Sequence, residues 1–252
     1  MAATTDREEE ADHGEEAGSG TKATSSRPRR GRIATAVSVF GELLITGGLL
    51  LGLFVVYSLW WTNVVADRAA HKQGDKVRDH WSQQTGPGAL DTKDGIGFLH
   101  VPSMSKGEVL VEKGTTPKVL NDGVAGYYTD PVKAALPTTG KEGNFSLAAH
   151  RDGHGAKFHN IDKIKKGDAI VYESKDKWYV YKVYDILPET SKYNVDVLGR
   201  IPKESGKKKA GHYITLTTCT PVYTSHYRYV VWGELERVEK VDSDRTPPEE
   251  LR

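Results

Sequence analysis

Cysteine is almost absent from this 252-residue sequence, which contains a single one, Cys219. One cysteine cannot form an intramolecular disulfide, and it excludes a metal site built from several cysteines of the same chain. An isolated thiol is often only a small buried side chain. It is also the minimum that a thiol-dependent enzyme needs, so the sequence around Cys219 must decide between the two interpretations.

Net charge is also nearly absent, with 35 basic and 34 acidic residues and a formal charge of +1. No positive field of the whole protein therefore favours nucleic acid, and we expect no nucleic-acid partner. The charges are nevertheless segregated, with acidic residues concentrated at positions 6–16 and arginines at 27–32. Such blocks, with few large apolar residues, predict that residues 1–32 form a disordered tail.

The sequence also lacks acidic residues at the spacing of a calcium-binding loop. Asp91, Asp94, Glu108 and Glu112 are near one another in the sequence but do not have the spacing of an EF-hand calcium loop. We predict no metal and no other cofactor.

Charged residues are missing from positions 43–66, which are mostly apolar. A helix of about 20 such residues crosses a bilayer core, so we assign residues 33–66 to a single transmembrane anchor. Tyr57, Trp60 and Trp61 lie toward its end, as in an interfacial aromatic belt. The arginines before the segment predict a cytoplasmic N-terminus in the cell membrane and an extracytoplasmic domain after it.

Two features of the anchor leave alternatives. Glu42 lies at its inner edge, either at the lipid headgroups or as a functional polar group inside the membrane; the nearby polar sequence favours the headgroups. Val64 and Ala66 resemble a signal-peptide cleavage site. The apolar run is longer than the 7–15 residues, roughly, of a signal-peptide core, so an uncleaved anchor is favoured.

The outer part of the chain divides into three segments. Residues 67–90 are polar and predict a helical stalk, weakened by Gly74 and ended by the Gly-Pro-Gly sequence at 86–88. Residues 91–241 form the predicted folded domain. Residues 242–252 are polar, contain two prolines and predict a frayed C-terminal tail.

This folded domain contains short β-branched and aromatic runs bounded by Gly, Asn, Asp and Lys, which predict strands. These runs are residues 96–101, 109–112, 145–149, 169–173, 178–187, 212–218 and 227–238. Short helices are predicted at 118–124, 158–164 and 195–198. Strands at this spacing favour an all-β barrel or sandwich over a βαβ fold.

Three side chains at predicted strand ends suggest chemistry. Cys219 ends one strand, since Pro221 stops it, and His150 follows another. Arg228 opens the next strand, and a hairpin with its turn at 222–227 would bring it beside Cys219. A thiolate nucleophile needs a histidine to protonate the leaving amine and a cation or donor to stabilise the oxyanion. An arginine remains charged and suits the last role.

Each of these side chains also has a structural interpretation. His150 is one of nine histidines, and His154, His159 and His226 are nearby rivals. Arg228 could instead form an ordinary ion pair with a surface carboxylate.

The local sequences resemble those of sortases. The pattern Thr-Leu-Thr-Thr-Cys at 215–219, with Arg228 on the next strand and His150 on an earlier one, is the sortase signature, and the similarity covers residues 95–240. Residues 41–46, 60–63, 149–151 and 218–221 are most similar to class E sortases of high-GC Gram-positive bacteria. The resemblance implies a mostly β fold, a closed eight-stranded barrel with short helices, preceded by the transmembrane helix.

The resemblance also implies a reaction. Cys219 would cleave the Thr–Gly bond of a C-terminal Leu-Ala-x-Thr-Gly or Leu-Pro-x-Thr-Gly motif in a secreted protein and form a thioacyl-enzyme. An amine of the peptidoglycan cross-bridge or of a lipid-linked precursor would then accept the acyl group. His150 would act as general acid and then base, Arg228 would bind substrate and oxyanion, and Thr218 would assist at the oxyanion.

The resemblance places substrate recognition in the loop between strand 178–187 and the cysteine strand. Tyr193 or Tyr184 is the expected aromatic side chain at the motif. Residues 136–140 spell Leu-Pro-Thr-Thr-Gly within this chain. A folded domain follows them rather than an apolar span and basic tail, so we expect an ordinary loop.

Two other functions compete with this prediction. A cysteine L,D-transpeptidase places its cysteine in a Ser-x-Gly-Cys context with a histidine close upstream, whereas Thr217 and Thr218 precede Cys219 here and His150 is distant. A non-catalytic, membrane-tethered binding domain is the second alternative. It would not need Cys219.

Overall fold

The computed structural model describes residues 31–83 and 96–252. Most of the predicted disordered tail lies outside these residues, as do Asp91, Asp94 and the predicted helix-ending sequence at 86–88. Arg32, at the end of that predicted tail, already begins a helix.

The N-terminal part of the described chain is helical. Helix α1 spans Arg32–Val56, a π-helical turn follows at Tyr57–Trp61, and helix α2 spans Thr62–Gln83. The segment Arg32–Ser82 is long and apolar enough to cross a membrane, by length and composition. None of the side chains of α1 is buried. An apolar helix with unburied side chains is compatible with the predicted membrane anchor.

The rest of the chain forms a closed barrel of eight strands in the order β1-β2-β3-β4-β7-β8-β6-β5. The strands are β1 (Gly97–His100), β2 (Glu108–Lys113), β3 (Ala125–Tyr127), β4 (Gly143–Ala148), β5 (Ala169–Glu173), β6 (Lys177–Ser191), β7 (His212–Thr220) and β8 (Tyr227–Lys240). The expected mostly β barrel of eight strands is therefore confirmed. Inward-facing side chains such as Phe145, Tyr172, Ile214 and Leu216 fill it and are almost fully buried.

The short elements differ in detail from the predictions. Strand β3 was not predicted, because Ala-Gly-Tyr has neither the length nor the β-branched residues that mark a strand. The helix predicted at 118–124 is the shorter α3, Pro117–Leu120, and that at 158–164 is one 3₁₀ turn, Ile161–Lys163. The helix at Val195–Leu198 is present as a 3₁₀ turn. The sorting-like sequence at 136–140 contains another such turn, Pro137–Thr139.

Helix α2 packs against the barrel and is not the free stalk that its polar composition predicted. Ala70, Val77 and Trp81 lie on one helical face and are buried, and the rings of Trp81 and Phe98 meet edge to face with centroids 5.5 Å apart. Gly74 is part of the contact, because a Cβ there would lie 3.2 Å from Cε1 of Phe98. The glycine allows the helix to approach the sheet closely.

The C-terminal segment is likewise held to the barrel, which corrects the prediction of a frayed tail. Arg245 donates to Glu173 through Nη2 at 2.7 Å, and Arg237 binds both carboxylate oxygens of Glu250, at 2.7 and 2.6 Å. A buried carboxylate requires such partners. The segment's charged side chains therefore fix it in place.

Glu173 is the centre of a buried polar cluster and is only 1% exposed. Besides Arg245, it accepts from Arg78 at 3.1 Å and contacts His100 at 3.0 Å. Burial alone would raise the pKa of this carboxyl, but the hydrogen bonds from His100, Arg78 and Arg245 outweigh it and lower the pKa to about 2. Glu108 lies in the same cluster, where it pairs with Arg78. The carboxylates that lie together at this point are thus already paired with arginine.

Candidate active site

Cys219 and Arg228 face one another across the β7–β8 hairpin. The two residues are direct partners in the antiparallel register, and residues 221–226 form the connection between the strands. Side chains of directly opposed residues lie on the same face of a sheet. The hairpin predicted from the sequence is therefore present, and it brings the guanidinium to the side of the sheet that carries the sulfur.

His150 reaches the same region from the other side of β7. Strand β4 runs parallel to β7, with Ala148 opposite Thr217. Continuing this register by two residues brings His150 level with Cys219. The hydroxyl of Thr218 donates to the carbonyl oxygen of Ala149 at 2.7 Å and joins the two strands at this point. Adjacent strands β4, β7 and β8 thus bring all three candidate residues to one end of the barrel.

One cavity opens from Cys219 toward the barrel strands, and we call it the strand-side cavity. Its volume is about 360 Å³, and His150, Cys219 and Arg228 all contribute to its wall. Apolar lining comes from Leu120, Val195, Val197 and Leu198, and Tyr128 contributes a phenol. The predicted recognition loop between β6 and β7 therefore supplies much of this wall.

Hydrogen bonds fix the part of that loop that lines the strand-side cavity. Trp232 Nε1 donates to the carbonyl of Val197 at 3.0 Å, and the amide of Asn144 donates to the carbonyls of Leu198 and Gly199 at 3.0 and 3.1 Å. Both anchoring side chains are almost fully buried in the barrel. The wall is thus attached to the core rather than left as an open loop.

A second cavity lies on the other side of Cys219, and we call it the helix-side cavity. Its volume is about 810 Å³. It shares His150 and Cys219 with the first cavity, and its other lining residues belong to three segments. These are Ser58, Leu59 and Thr62 of the N-terminal helix, residues 151–154 after His150, and residues 223–226 of the β7–β8 connection.

The imidazole of His150 is oriented by Asn121. Nε2 of the histidine lies 2.9 Å from Oδ1 of the amide. An amide oxygen only accepts hydrogen bonds, so Nε2 carries the hydrogen and Nδ1 of the neutral ring is free to accept a proton. Burial, and to a smaller extent the neighbouring His154, lower the pKa of His150 below its usual value of 6.5. At neutral pH the ring is therefore poised as a base.

Arg228 is held by main-chain oxygens. Its Nη1 donates to the carbonyls of Ser225 at 3.2 Å and of Tyr227 at 2.9 Å. Among residues 31–83 and 96–252, no carboxylate forms an ion pair with it. The structural interpretation of Arg228 as a surface ion-pair partner is therefore not supported, and its charge remains available at the cavity wall.

The rival histidines are placed differently. His154 and His226 line the helix-side cavity, and neither lies on the strand register opposite Cys219. Nδ1 of His159 donates to the carbonyl of Arg151, 2.9 Å away, and His159 does not line either cavity. His150 is the histidine of this group that contributes to both cavities.

Three further residues at the site were missed by sequence reasoning. Asn121 orients His150, as described above. The hydroxyl of Tyr128 lies 3.0 Å from Oγ1 of Thr217, and burial raises its pKa. Arg151 is 5% exposed and donates to Oγ1 of Thr220 at 2.9 Å. Only Arg151 had a sequence signal, since a charged residue directly follows His150.

Arg151 connects the histidine loop to the cysteine strand. Besides Thr220 it pairs with Asp162 at 3.1 Å, and its guanidinium lies over the ring of Tyr229 at 5.7 Å. The buried charge is therefore compensated on several sides.

The structure places the other predicted site residues, Thr218, Tyr193 and Tyr184, in three different surroundings. Thr218 is buried and its hydroxyl donates to the carbonyl of Ala149, and the residue also contributes to the wall of the strand-side cavity beside Cys219. Tyr193 is 79% exposed and lines neither cavity. Tyr184 packs against Tyr213 and Lys207 and lines neither cavity. The aromatic side chain that lines the strand-side cavity is Tyr128.

Comparison with known proteins identifies the family. The sortase domain model matches residues 99–236. The chain is 75% identical to sortase SrtE2 of Streptomyces coelicolor, over all of both chains, and 44% identical to SrtE1 of the same organism, over 88% of this chain and 62% of that one. The chain belongs to the sortase family. This excludes the L,D-transpeptidase alternative and confirms the expected resemblance to class E sortases.

Solved structures agree with the assignment of this sortase. The crystal structure of sortase E1 from Streptomyces coelicolor, with a tripeptide in its active site, is 44% identical with a TM-score of 0.59, over 63% of this chain and 96% of that one. Sortase E from Streptomyces avermitilis is 31% identical with a TM-score of 0.54, over 63% and 97% of the two chains. The eight-stranded barrel of this sortase is thus the family fold.

Proposed function

We propose that this class E sortase cleaves a C-terminal Leu-Ala-x-Thr-Gly or Leu-Pro-x-Thr-Gly motif between Thr and Gly, through Cys219, and transfers the acyl group to an amine. The observation that carries the proposal is the convergence of Cys219, His150 and Arg228 from three adjacent strands at the junction of two cavities. A two-sided site suits a reaction with two substrates.

In the acylation step, His150 takes the thiol proton of Cys219 and the thiolate attacks the carbonyl carbon of the motif threonine. A histidine with a lowered pKa is neutral at pH 7 and can accept that proton. Arg228, whose charge is not neutralised by a carboxylate in the described chain, stabilises the oxyanion of the tetrahedral intermediate. The imidazolium then protonates the glycine amine as the C–N bond breaks.

In the second step, an amine attacks the thioester carbonyl and His150 takes up its proton. The sulfur of Cys219 leaves as a thiolate, and a new amide bond forms. His150 is thus general acid in the first half of the reaction and general base in the second. The acceptor is the amine of a peptidoglycan cross-bridge or of a lipid-linked precursor.

The strand-side cavity accommodates the motif residues that precede the scissile bond. Val195, Val197 and Leu198 give it an apolar wall suited to the leucine and the following alanine or proline. Arg228 at its edge can bind a substrate carbonyl in addition to the oxyanion. Thr218 supports the site by joining β4 and β7.

The substrates follow from the location. With α1 as a single-pass anchor in the cell membrane and the N-terminus in the cytoplasm, the barrel is extracytoplasmic. It would then meet secreted proteins that carry the motif, and wall precursors.

The proposal is tested with the full chain in detergent micelles, a fluorogenic Leu-Ala-x-Thr-Gly peptide and an amine acceptor. We expect cleavage between Thr and Gly, a ligated product, and loss of both in Cys219→Ala. Equal cleavage by Cys219→Ala, or none by the wild type, would reject the enzymatic role and favour the non-catalytic binding domain. The same peptide with proline at the second position determines the motif preference.

A further inference from the structure

The N-terminal helix contributes directly to the wall beside the nucleophile. Ser58, Leu59 and Thr62 line the helix-side cavity together with His150 and Cys219. They come from the π turn Tyr57–Trp61 and the first residue of α2. A π turn accommodates an additional residue and rotates the following helix, and such turns are frequent at functional sites. Trp60 and Trp61 of the same turn are exposed.

Two contacts bind the helix to the loop that follows His150. The main-chain N–H of Gly155 donates to Oδ1 of Asn63 at 2.9 Å, and Nζ of Lys157 lies 2.7 Å from Oδ1 of Asp67. The packing is close, because a Cβ at Gly155 would lie 3.1 Å from the Asp67 carboxylate and its φ of +80° already favours glycine. The loop is therefore shaped to fit this part of the helix.

The same loop reaches the other wall of the cavity. Asp152 accepts a hydrogen bond from the main-chain N–H of Tyr223 in the β7–β8 connection at 2.6 Å. At its far end, the N–H of Phe158 donates to the carbonyl of His150 at 3.1 Å. Helix, histidine loop and hairpin connection thus form one linked frame around the helix-side cavity.

The chemistry of the reaction assigns a substrate to this cavity. The leaving amine and the incoming amine take the same position relative to the acyl carbon, because the second step is the reverse of the first with a different amine. If the acyl part of the motif occupies the strand-side cavity, both amines lie on the opposite side of Cys219. That side is the helix-side cavity.

We infer that residues 58–67 of the anchor helix belong to the active site, where they close the cavity that receives the amine substrate. Asn63 and Asp67 are positioning residues that hold the histidine loop against the helix. This inference rests on the proposed function. It means that the barrel without these helical turns has an incomplete amine site, although its thiol and the strand-side cavity are intact.

The test uses the full chain in nanodiscs and measures acylation by the motif peptide separately from transfer to a series of amine concentrations. Asn63→Leu should raise the KM for the amine about fivefold, the effect of one hydrogen bond, with kcat changed less than twofold. Asn63→Asp keeps an acceptor for Gly155 and should restore the KM. Asp67→Asn weakens the contact with Lys157 and should also raise the KM for the amine. Asp75 is an exposed carboxyl on the same helix, so Asp75→Asn is the matched control for Asp67→Asn and should behave as the wild type.

A second variant tests the cavity independently of the two contacts. Ser58→Trp places bulk into the helix-side cavity and should raise the amine KM, and it should affect acylation less because the motif peptide is held in the strand-side cavity as well. An unchanged amine KM in all variants, with an active wild type, would overturn the inference. Equal losses of acylation and transfer together with a lower melting temperature would also overturn it, since they indicate a structural role alone. An inactive wild type would instead reject the proposed function.

Discussion

Cys219 and Arg228 occupy directly opposed positions on β7 and β8, so the sulfur and the guanidinium project from the same face of the sheet. The guanidinium is oriented by the carbonyls of Ser225 and Tyr227. A side chain oriented before substrate binds can stabilise a developing charge without reorganising.

Arg228→Ala should therefore lower kcat by a factor of about 10²–10³, the usual effect of removing one oxyanion donor. Arg228→Lys keeps the charge but not the planar fork, so it should restore only part of the rate. Peptide cleavage assays of both variants measure the effect, and an unchanged melting temperature shows that they fold. A fully active Arg228→Ala would remove Arg228 from the mechanism.

The pKa of His150 provides a second prediction. Burial and His154 both lower it, so the wild-type value should lie below 6.5. His154→Gln removes the smaller cause and should move the value upward while leaving it below 6.5. Titration of the imidazole by NMR in Cys219→Ala measures this without a coupled thiol. A pKa above 6.5 in the wild type would show that burial and His154 do not lower the pKa of His150.

Asn121→Ala should disturb catalysis through the histidine. Loss of the Nε2 contact frees the ring to rotate and to exchange tautomers, so kcat should fall by about tenfold, part of the roughly 10²–10⁴-fold that general acid–base catalysis contributes. Asn121→Asp supplies a charged acceptor and should raise the pKa of His150, which displaces the pH–rate profile to higher pH. An unaltered profile in Asn121→Asp would show that the contact does not control the ring.

Glu173 supports a prediction on stability. Its pKa in the folded protein is about 2, against an ordinary value of 4.5, and this difference corresponds to about 3 kcal/mol of folding free energy. Because the folded pKa is lowered, the contribution is complete above pH 4.5 and is lost as the pH falls toward 2. Glu173→Gln should lower the free energy of unfolding at pH 7 by this order, with a smaller difference from wild type at pH 3, as measured by urea denaturation.

The docking of α2 is tested at Gly74. Gly74→Leu places a side chain where a Cβ alone is already 3.2 Å from Phe98, so it should separate the helix from the sheet and lower the melting temperature. Ala69→Leu, on the exposed face of the same helix, is the control. Equal melting temperatures for the two variants would mean that the helix does not depend on this contact.

Sequence reasoning recovered the features that depend on neighbouring residues. Seven of the eight strands and the hairpin that pairs Cys219 with Arg228 follow from local patterns of apolar residues and turns. Strand β3 was not predicted, because three residues are too few to show the alternation of apolar and polar side chains that marks a strand. Asn121 and Tyr128 could not be found, since only the barrel brings them to His150 and Thr217, 29 and 89 positions away along the chain.

The sequence of α2 contains an apolar stripe that indicates packing, but its polar composition obscured this stripe. Ala66, Ala70, Val77 and Trp81 recur at helical spacing, but the many charged residues between them favoured a solvated stalk. The C-terminal tail was mistaken for a similar reason. Its order comes from arginine pairs with distant carboxylates, and no local pattern encodes such pairs.

The predicted recognition loop between β6 and β7 is attached to the barrel through Trp232 and Asn144. Its lining residues Val195–Leu198 therefore have their shape before a peptide arrives. Ordering a loop on binding consumes part of the interaction energy, and a loop that is already ordered does not incur this loss. If this loop binds the motif as proposed, the affinity depends on how well the peptide side chains fit a surface that is already ordered, so changes of two or three lining residues should be sufficient to change the preferred sequence.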